Sequence, residues 1–130
     1  MSQRNNDIYI APSPLHGSGV FCARFITEGE VIEICPVIIL PKKELPWIKD
    51  SVLYDYYFIW GKEDDCLAII LGYGSIYNHS YKPNAEYFPD HENGTLSYYA
   101  YKDIPPGEEI LVNYNGDPSD DTKVWFEKAN

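Results

Sequence analysis

The sequence predicts a single, mostly β domain, and three observations carry that reading. Apolar and aromatic residues fall in short runs instead of long amphipathic stretches, Gly or Pro punctuates nearly every gap between them, and Asn93-Gly94 separates two aromatic-rich runs. A chain of 130 residues, 45% apolar, can bury a core without covalent staples. No linker or low-complexity segment divides it, so one domain is expected over residues 1–130, with a core at 8–114 and a tail at 115–130.

In chain order, β-like runs occupy residues 8–11, 20–23, 31–35, 37–40, 56–60, 66–71, 86–88, 96–101 and 110–113. Asn93-Gly94 predicts a hairpin, since a type I′ turn needs positive φ at both central positions. Helix is scarce. Residues 42–54 have room for a turn or two, interrupted at Pro46, and residues 122–129 read as a short terminal helix capped by Ser119, Asp120 or Asp121. One internal echo stands out: Ile26-Thr27-Glu28-Gly29-Glu30-Val31-Ile32 and Ile104-Pro105-Pro106-Gly107-Glu108-Glu109-Ile110 share the pattern Ile-x-x-Gly-Glu-x-Ile. It is either recurrent turn chemistry or two similar β corners in one folded unit.

Composition excludes several function classes. The net charge of −10 argues against direct binding of nucleic acid, which needs a basic surface, and suits a basic partner. Three cysteines (Cys22, Cys35, Cys66) without a Cys-x-x-Cys pair argue against a disulfide framework or a zinc knuckle. The polar N-terminus is no signal peptide, and the longest apolar runs, 36–41 and 66–72, are too short for a bilayer. An intracellular, reduced protein with no membrane partner is expected, cytoplasmic or, in a eukaryotic setting, nuclear. The 12 tyrosines fit half-buried strands, with a few available to wall a channel for a cationic side chain.

Three short motifs carry chemistry. Gly17-Ser18-Gly19-Val20-Phe21 reads as a β-turn or as backbone that approaches a ligand closely; it lacks the third glycine of a dinucleotide fingerprint. Asn78-His79-Ser80-Tyr81-Lys82-Pro83-Asn84 packs carboxamides, an imidazole and a hydroxyl into one loop, where buried Asn and His need several partners each. Pro83 and Asn84 fix the exit of that loop. No metal site is expected, because His16 and His91 lie in unrelated turns. No cysteine sits in an activating setting. Gly107-Glu108-Glu109-Ile110-Leu111-Val112-Asn113-Tyr114 delivers a strand that ends on a tyrosine.

In this order, over residues 15–114, the three motifs resemble those of the SET-domain lysine methyltransferases, in particular the minimal stand-alone type of viruses and bacteria. The resemblance implies the SET-domain (β-clip) fold: several small sheets, a threaded C-terminal pseudoknot and a short C-terminal helix. It implies S-adenosyl-L-methionine as methyl donor, bound by Ser18, Gly19, Val20, Asn78, His79 and Tyr114. Tyr114 would be the catalytic tyrosine and Tyr56 the second pocket tyrosine. Tyr73, Tyr77, Trp125 and Phe126 are candidates for the substrate channel. The substrate would be a lysine on a histone or another basic protein.

Physics constrains that reaction. A lysine amine attacks only when neutral, and with a free pKa of about 10.4 its deprotonation at pH 7 costs roughly 4.6 kcal/mol. A narrow apolar channel and a cationic donor both lower that cost, so in-line positioning replaces a strong base. The chain departs from many relatives in its tail, which carries no cysteine-rich segment after Tyr114. Trp125 and Phe126 either fold over the pocket or pack on the core or on a second subunit, the last making a homodimer. Two rivals remain at this point: a non-catalytic protein- or peptide-binding module of the same fold, and an unrelated acidic β-domain that binds a small ligand.

Overall fold

The computed structural model describes residues 6–124. Nine strands follow in order: β1 (Ile8–Pro12), β2 (Ser18–Cys22), β3 (Val31–Pro41), β4 (Phe58–Trp60), β5 (Cys66–Ile70), β6 (Asn78–His79), β7 (Ala85–Asp90), β8 (Thr95–Ala100) and β9 (Glu109–Val112). They form a four-stranded sheet of order β1-β2-β9-β6 and a five-stranded sheet of order β4-β5-β3-β8-β7. The expected fold class, mostly β in several small sheets, is the fold observed.

The chain divides into two compact units, each discontinuous in sequence. The first holds described residues 6–33, 76–87 and 98–124; the second holds 34–75 and 88–97.

In the first unit, β1 and β2 make an antiparallel hairpin with Ile8 opposite Cys22 and Pro12 opposite Ser18. β9 then lies between two earlier strands. It is antiparallel to β2, with Val20 opposite Ile110, and parallel to β6, with Asn78 opposite Leu111 and His79 opposite Val112. The core here is Val20, Cys22, Ile26, Ile104, Ile110, Tyr77 and Tyr98, each 2% exposed or less.

The repeated Ile-x-x-Gly-Glu pattern proves to be two matching β corners. Ile26 and Ile104 bond each other reciprocally, at 2.9 and 2.8 Å. The Gly29 amide donates to the Ala100 carbonyl, while the Ala100 amide donates to Glu30. In the other copy the Gly107 amide donates to Cys22, and the Cys22 amide to Glu108. Both glycines hold positive φ, 88° and 85°, which a side chain would strain. Each corner thus caps the strand that leads into the other.

In the second unit β5 pairs with β3 (Val37 opposite Ile70, Pro41 opposite Cys66) and with β4 (Phe58 opposite Ala68). Two expected strands, 31–35 and 37–40, are one strand, β3, with Pro36 inside it; the pairing with β5 starts one residue later, at Val37. The expected strand at 56–60 begins only at Phe58, because Tyr56 ends a 3₁₀ turn, Val52–Asp55. A 3₁₀ turn at Lys42–Glu44 runs into helix α1 (Leu45–Lys49). Pro46 stands in the first turn of α1 instead of interrupting it, since proline's missing amide is needed by no carbonyl there. The hairpin at Asn93-Gly94 is present, but its turn is not type I′. Gly94 has φ 66° while Asn93 does not have positive φ, and the loop closes by Gly94 N–H donating to the Asp90 carbonyl at 2.9 Å. The Asp90 carboxylate accepts from the side-chain and backbone amides of Asn93, which holds its pKa below the usual carboxylate range. The expected terminal helix lies mostly outside the described residues, and residues 122–124 are not helical.

Candidate functional site

All three motifs meet in the first unit. Two strands hold them there. β6 is only two residues long, but it brings Asn78 and His79 alongside Leu111 and Val112. Ser80 N–H donates to the Val112 carbonyl, and the Asn84 carboxamide clamps β9 from the loop's far end, accepting from Leu111 N–H at 2.8 Å and donating to the Glu109 carbonyl at 2.9 Å. The loop exit is therefore fixed by Asn84, as its position suggested.

Asn78, 6% exposed, joins the first motif to the third. Its Nδ2 donates to the carbonyls of His16 and Ser18, both at 3.1 Å, and to Glu109 Oε2 at 2.8 Å. Three acceptors around one nitrogen fix the orientation of the amide. Among the described residues no hydrogen bond reaches Asn78 Oδ1, which stays an open acceptor. The other Glu109 oxygen accepts from Ser13 Oγ at 2.8 Å, and Ser13 Oγ in turn accepts from the amides of Leu15 and His16.

The two glycines of the first motif serve different ends. Gly17 has φ 47° with open space around it, so its role is the backbone turn closed by Ser13 N–H on the Gly17 carbonyl. At Gly19 a Cβ would overlap the Glu109 carboxylate and lie 3.1 Å from Asn78 Nδ2. The Cβ side of Gly19 is thus filled by the protein's own side chains.

His79 Nδ1 accepts from the Tyr114 backbone N–H at 3.0 Å, so in the neutral ring the proton belongs on Nε2. The Tyr114 hydroxyl donates to the Tyr77 carbonyl at 2.7 Å, and its ring lies 5.1 Å from that of His79. Tyr87, whose burial pushes its pKa up to about 12, donates to the Tyr114 carbonyl at 3.4 Å.

Of the proposed channel residues, Tyr77 enters by its backbone. Its side chain is 2% exposed, stacked on Tyr98 at 4.3 Å, with the hydroxyl donating to Glu33. Tyr56, 40% exposed, and half-buried Tyr73 belong to the second unit, the first after a 3₁₀ turn and the second in the turn that follows β5. Trp125 and Phe126 lie outside the described residues.

The tail up to Val124 is held by groups the sequence did not single out. Asn113, 2% exposed, donates to the Asp120 carbonyl at 2.6 Å; Asn115 donates to Thr122 at 2.6 Å; Val124 N–H donates to the Tyr81 hydroxyl at 3.2 Å. The Tyr81 ring stands edge-on to His79, 4.4 Å away. Glu109, Asn113 and Tyr81 were thus missed. A carboxamide just before the terminal tyrosine and a second glutamate after Gly107 were the available signals.

The SET domain family model matches residues 17–115. A Schizosaccharomyces pombe protein named "Histone-lysine N-methyltransferase, H3 lysine-37 specific" is 36% identical over 112 residues, covering 85% of this chain and 71% of its own length. Among solved structures, a Plasmodium falciparum protein described as a candidate histone methyltransferase superposes with a TM-score of 0.68 at 35% identity, over 85% of this chain and 98% of that one. A humanized mutant of the Chaetomium thermophilum Polycomb Repressive Complex 2, bound to the inhibitor GSK126, gives 0.70 at 23% identity over 82% of this chain and 14% of that one, a likeness of fold alone.

Proposed function

The chain belongs to the SET-domain lysine methyltransferases, and from that premise we propose that it transfers a methyl group from S-adenosylmethionine to a lysine of a basic protein. The observation that carries the reading is the convergence of the three motifs on one another, through Asn78 to Ser18 and Glu109 and through His79 to Tyr114.

The residues present fit such a donor. Asn78 Oδ1 is an open acceptor, and the Nδ2 of the same carboxamide bonds the half-buried Glu109 carboxylate, with no lysine or arginine of the described residues paired to it. Acceptors and negative charge complement a ligand that carries an ammonium and a sulfonium. When bound, S-adenosylmethionine supplies an electrophilic methyl on a positively charged sulfur.

The chain's own work is positioning. His79 Nδ1 fixes the Tyr114 backbone, and Tyr77 takes the Tyr114 phenolic proton in a hydrogen bond. A phenolic oxygen accepts as well as donates, so it can take a hydrogen bond from a lysine N–H. A substrate amine held this way is aimed without a base, and alignment of that kind is worth several kcal/mol. A basic substrate matches the net charge of −10 and the histone H3 lysine named for the yeast relative. The free thiols of Cys22, Cys35 and Cys66 suit a reducing, intracellular setting.

The test is methyl transfer from labelled donor to core histones or a lysine-rich peptide, with Tyr114→Phe as control. The variant should fold and bind S-adenosylhomocysteine yet lose about 100-fold or more in turnover, the scale of one lost group at the reacting centre. Near wild-type turnover would remove Tyr114 from its role, and absence of any binding of S-adenosylhomocysteine to folded protein would remove the reading.

A further inference from the structure

Glu109, like Asn78, touches all three motifs, and it is the charged member of that pair. It opens β9 in the third motif and accepts from Asn78 of the second. In the first, it fills the space that the missing Cβ of Gly19 leaves. Ser13, just before the turn, holds its other oxygen. Both of its donors are neutral, and among the described residues no cation pairs with it, whereas Arg24 spends its guanidinium on Asp7 and Glu30 at the other side of the corner. A fixed, half-buried carboxylate set where the three motifs meet, without a cation of its own, is an incomplete electrostatic arrangement.

The function proposed above, on which this inference rests, supplies the missing charge. The methyl donor and its spent product, S-adenosylhomocysteine, share nearly the same shape. They differ by one methyl and one positive charge: as the lysine nitrogen bonds the methyl carbon the sulfur–methyl bond breaks, its electrons stay on sulfur to leave a neutral thioether, and the methylated amine, now cationic, can shed a proton to water. A site that reads shape alone binds the two almost equally and is inhibited by its own product. A fixed negative charge attracts the sulfonium but not the thioether, and the attraction is stronger in a partly water-excluded cleft than in water.

We propose that Glu109 is a specificity-determining residue that discriminates the charged donor from the neutral product. The buttressing fits this role. Ser13 and Asn78 hold one oxygen each, which fixes the position of the charge, and Gly19 is required so that the carboxylate can lie against the turn. The consequence is easier release of product after each transfer.

The measurement is a pair of calorimetric titrations, S-adenosylmethionine and S-adenosylhomocysteine, on the full chain and on Glu109→Gln, which keeps size and one acceptor but removes the charge. Expected is a fall of about three- to tenfold in the preference for donor over product, the range that about 0.7–1.4 kcal/mol of lost attraction gives. A merely structural role would weaken both ligands together and leave the ratio unchanged, and that result overturns the proposal. Glu109→Asp keeps the charge on a shorter stem; it should hold the ratio within about twofold even where both affinities drop, and a ratio that collapses there also overturns it. If the unaltered protein binds neither ligand, the proposed function itself fails, an outcome distinct from an unchanged ratio.

Discussion

Gly17 and Gly19 are two residues apart and look alike in the sequence, yet they are glycine for unrelated reasons. Gly17 needs its positive φ and has empty space around it; Gly19 has ordinary backbone and no room, because Glu109 and Asn78 fill it. A double-mutant cycle separates the two. Gly17→Ala should cost about 1 kcal/mol in backbone strain, and adding Glu109→Ala should not recover any of it. Gly19→Ala should cost a similar amount, and adding Glu109→Ala should recover at least half, because the obstacle is then gone. Thermal unfolding of the parent, the three single variants (Glu109→Ala included) and the two doubles gives the coupling; equal coupling at both positions would show that Gly19 is not occupied by Glu109. That Asn78 and His79 would tie neighbouring backbone together was readable from residue types. That Glu109 joins the three motifs was not, because a glutamate after a turn glycine is ordinary surface chemistry until the strand that carries it is known to lie between β2 and β6.

Among elements, the strands with apolar alternation were legible and the site strand was not. β6 is two polar residues, too short to show any period, and it exists only because β9 arrives parallel to it more than 30 residues later in the chain. The echo of Ile-x-x-Gly-Glu was visible, but its meaning, two corners that cap each other, needed the pairing of Ile26 with Ile104. The turn at Asn93-Gly94 was placed correctly and typed wrongly, since Asp90 supplies side-chain bonds that favour a longer loop. The tail is the element with the sharpest consequence. Nothing in its composition announces order, yet Asn113 and Asn115 hold it by their carboxamides, and Asn113 is buried. Asn113→Ala should lower stability by about 1–3 kcal/mol, the cost of losing a buried carboxamide that donates to Asp120 and accepts from the Asn115 amide. Proteolysis or amide exchange in that variant should speed up first at residues 116–124. Faster exchange spread evenly over the chain would mean that Asn113 supports the core and not the tail.

At the scale of the whole molecule the governing quantity is charge. A net −10 on 130 residues leaves at least ten carboxylates without a cation of the same chain. Such a field does not specify a fold, but it does raise the local concentration of a cationic partner and speed its encounter, and it does so over a distance set by salt. Two of the shifted carboxylates, Asp117 and Asp120, lie in the tail that follows Tyr114, held below the usual carboxylate range by bonds from Ser119 and Thr122 respectively, so they stay charged through the physiological range. A substrate attracted in this way should betray it in KM. For a lysine peptide flanked by arginines and lysines, KM should rise about three- to tenfold between 50 and 300 mM salt, as screening shortens the reach of the field from about 14 Å to 6 Å. The value of kcat should hold, because the aligned amine and Tyr114 lie inside the site and are screened far less. A peptide with the same target lysine between neutral residues should show little change in either constant. If the neutral and basic peptides lose the same factor, salt is acting on the site or the donor, and the acidic character of the chain serves solubility alone.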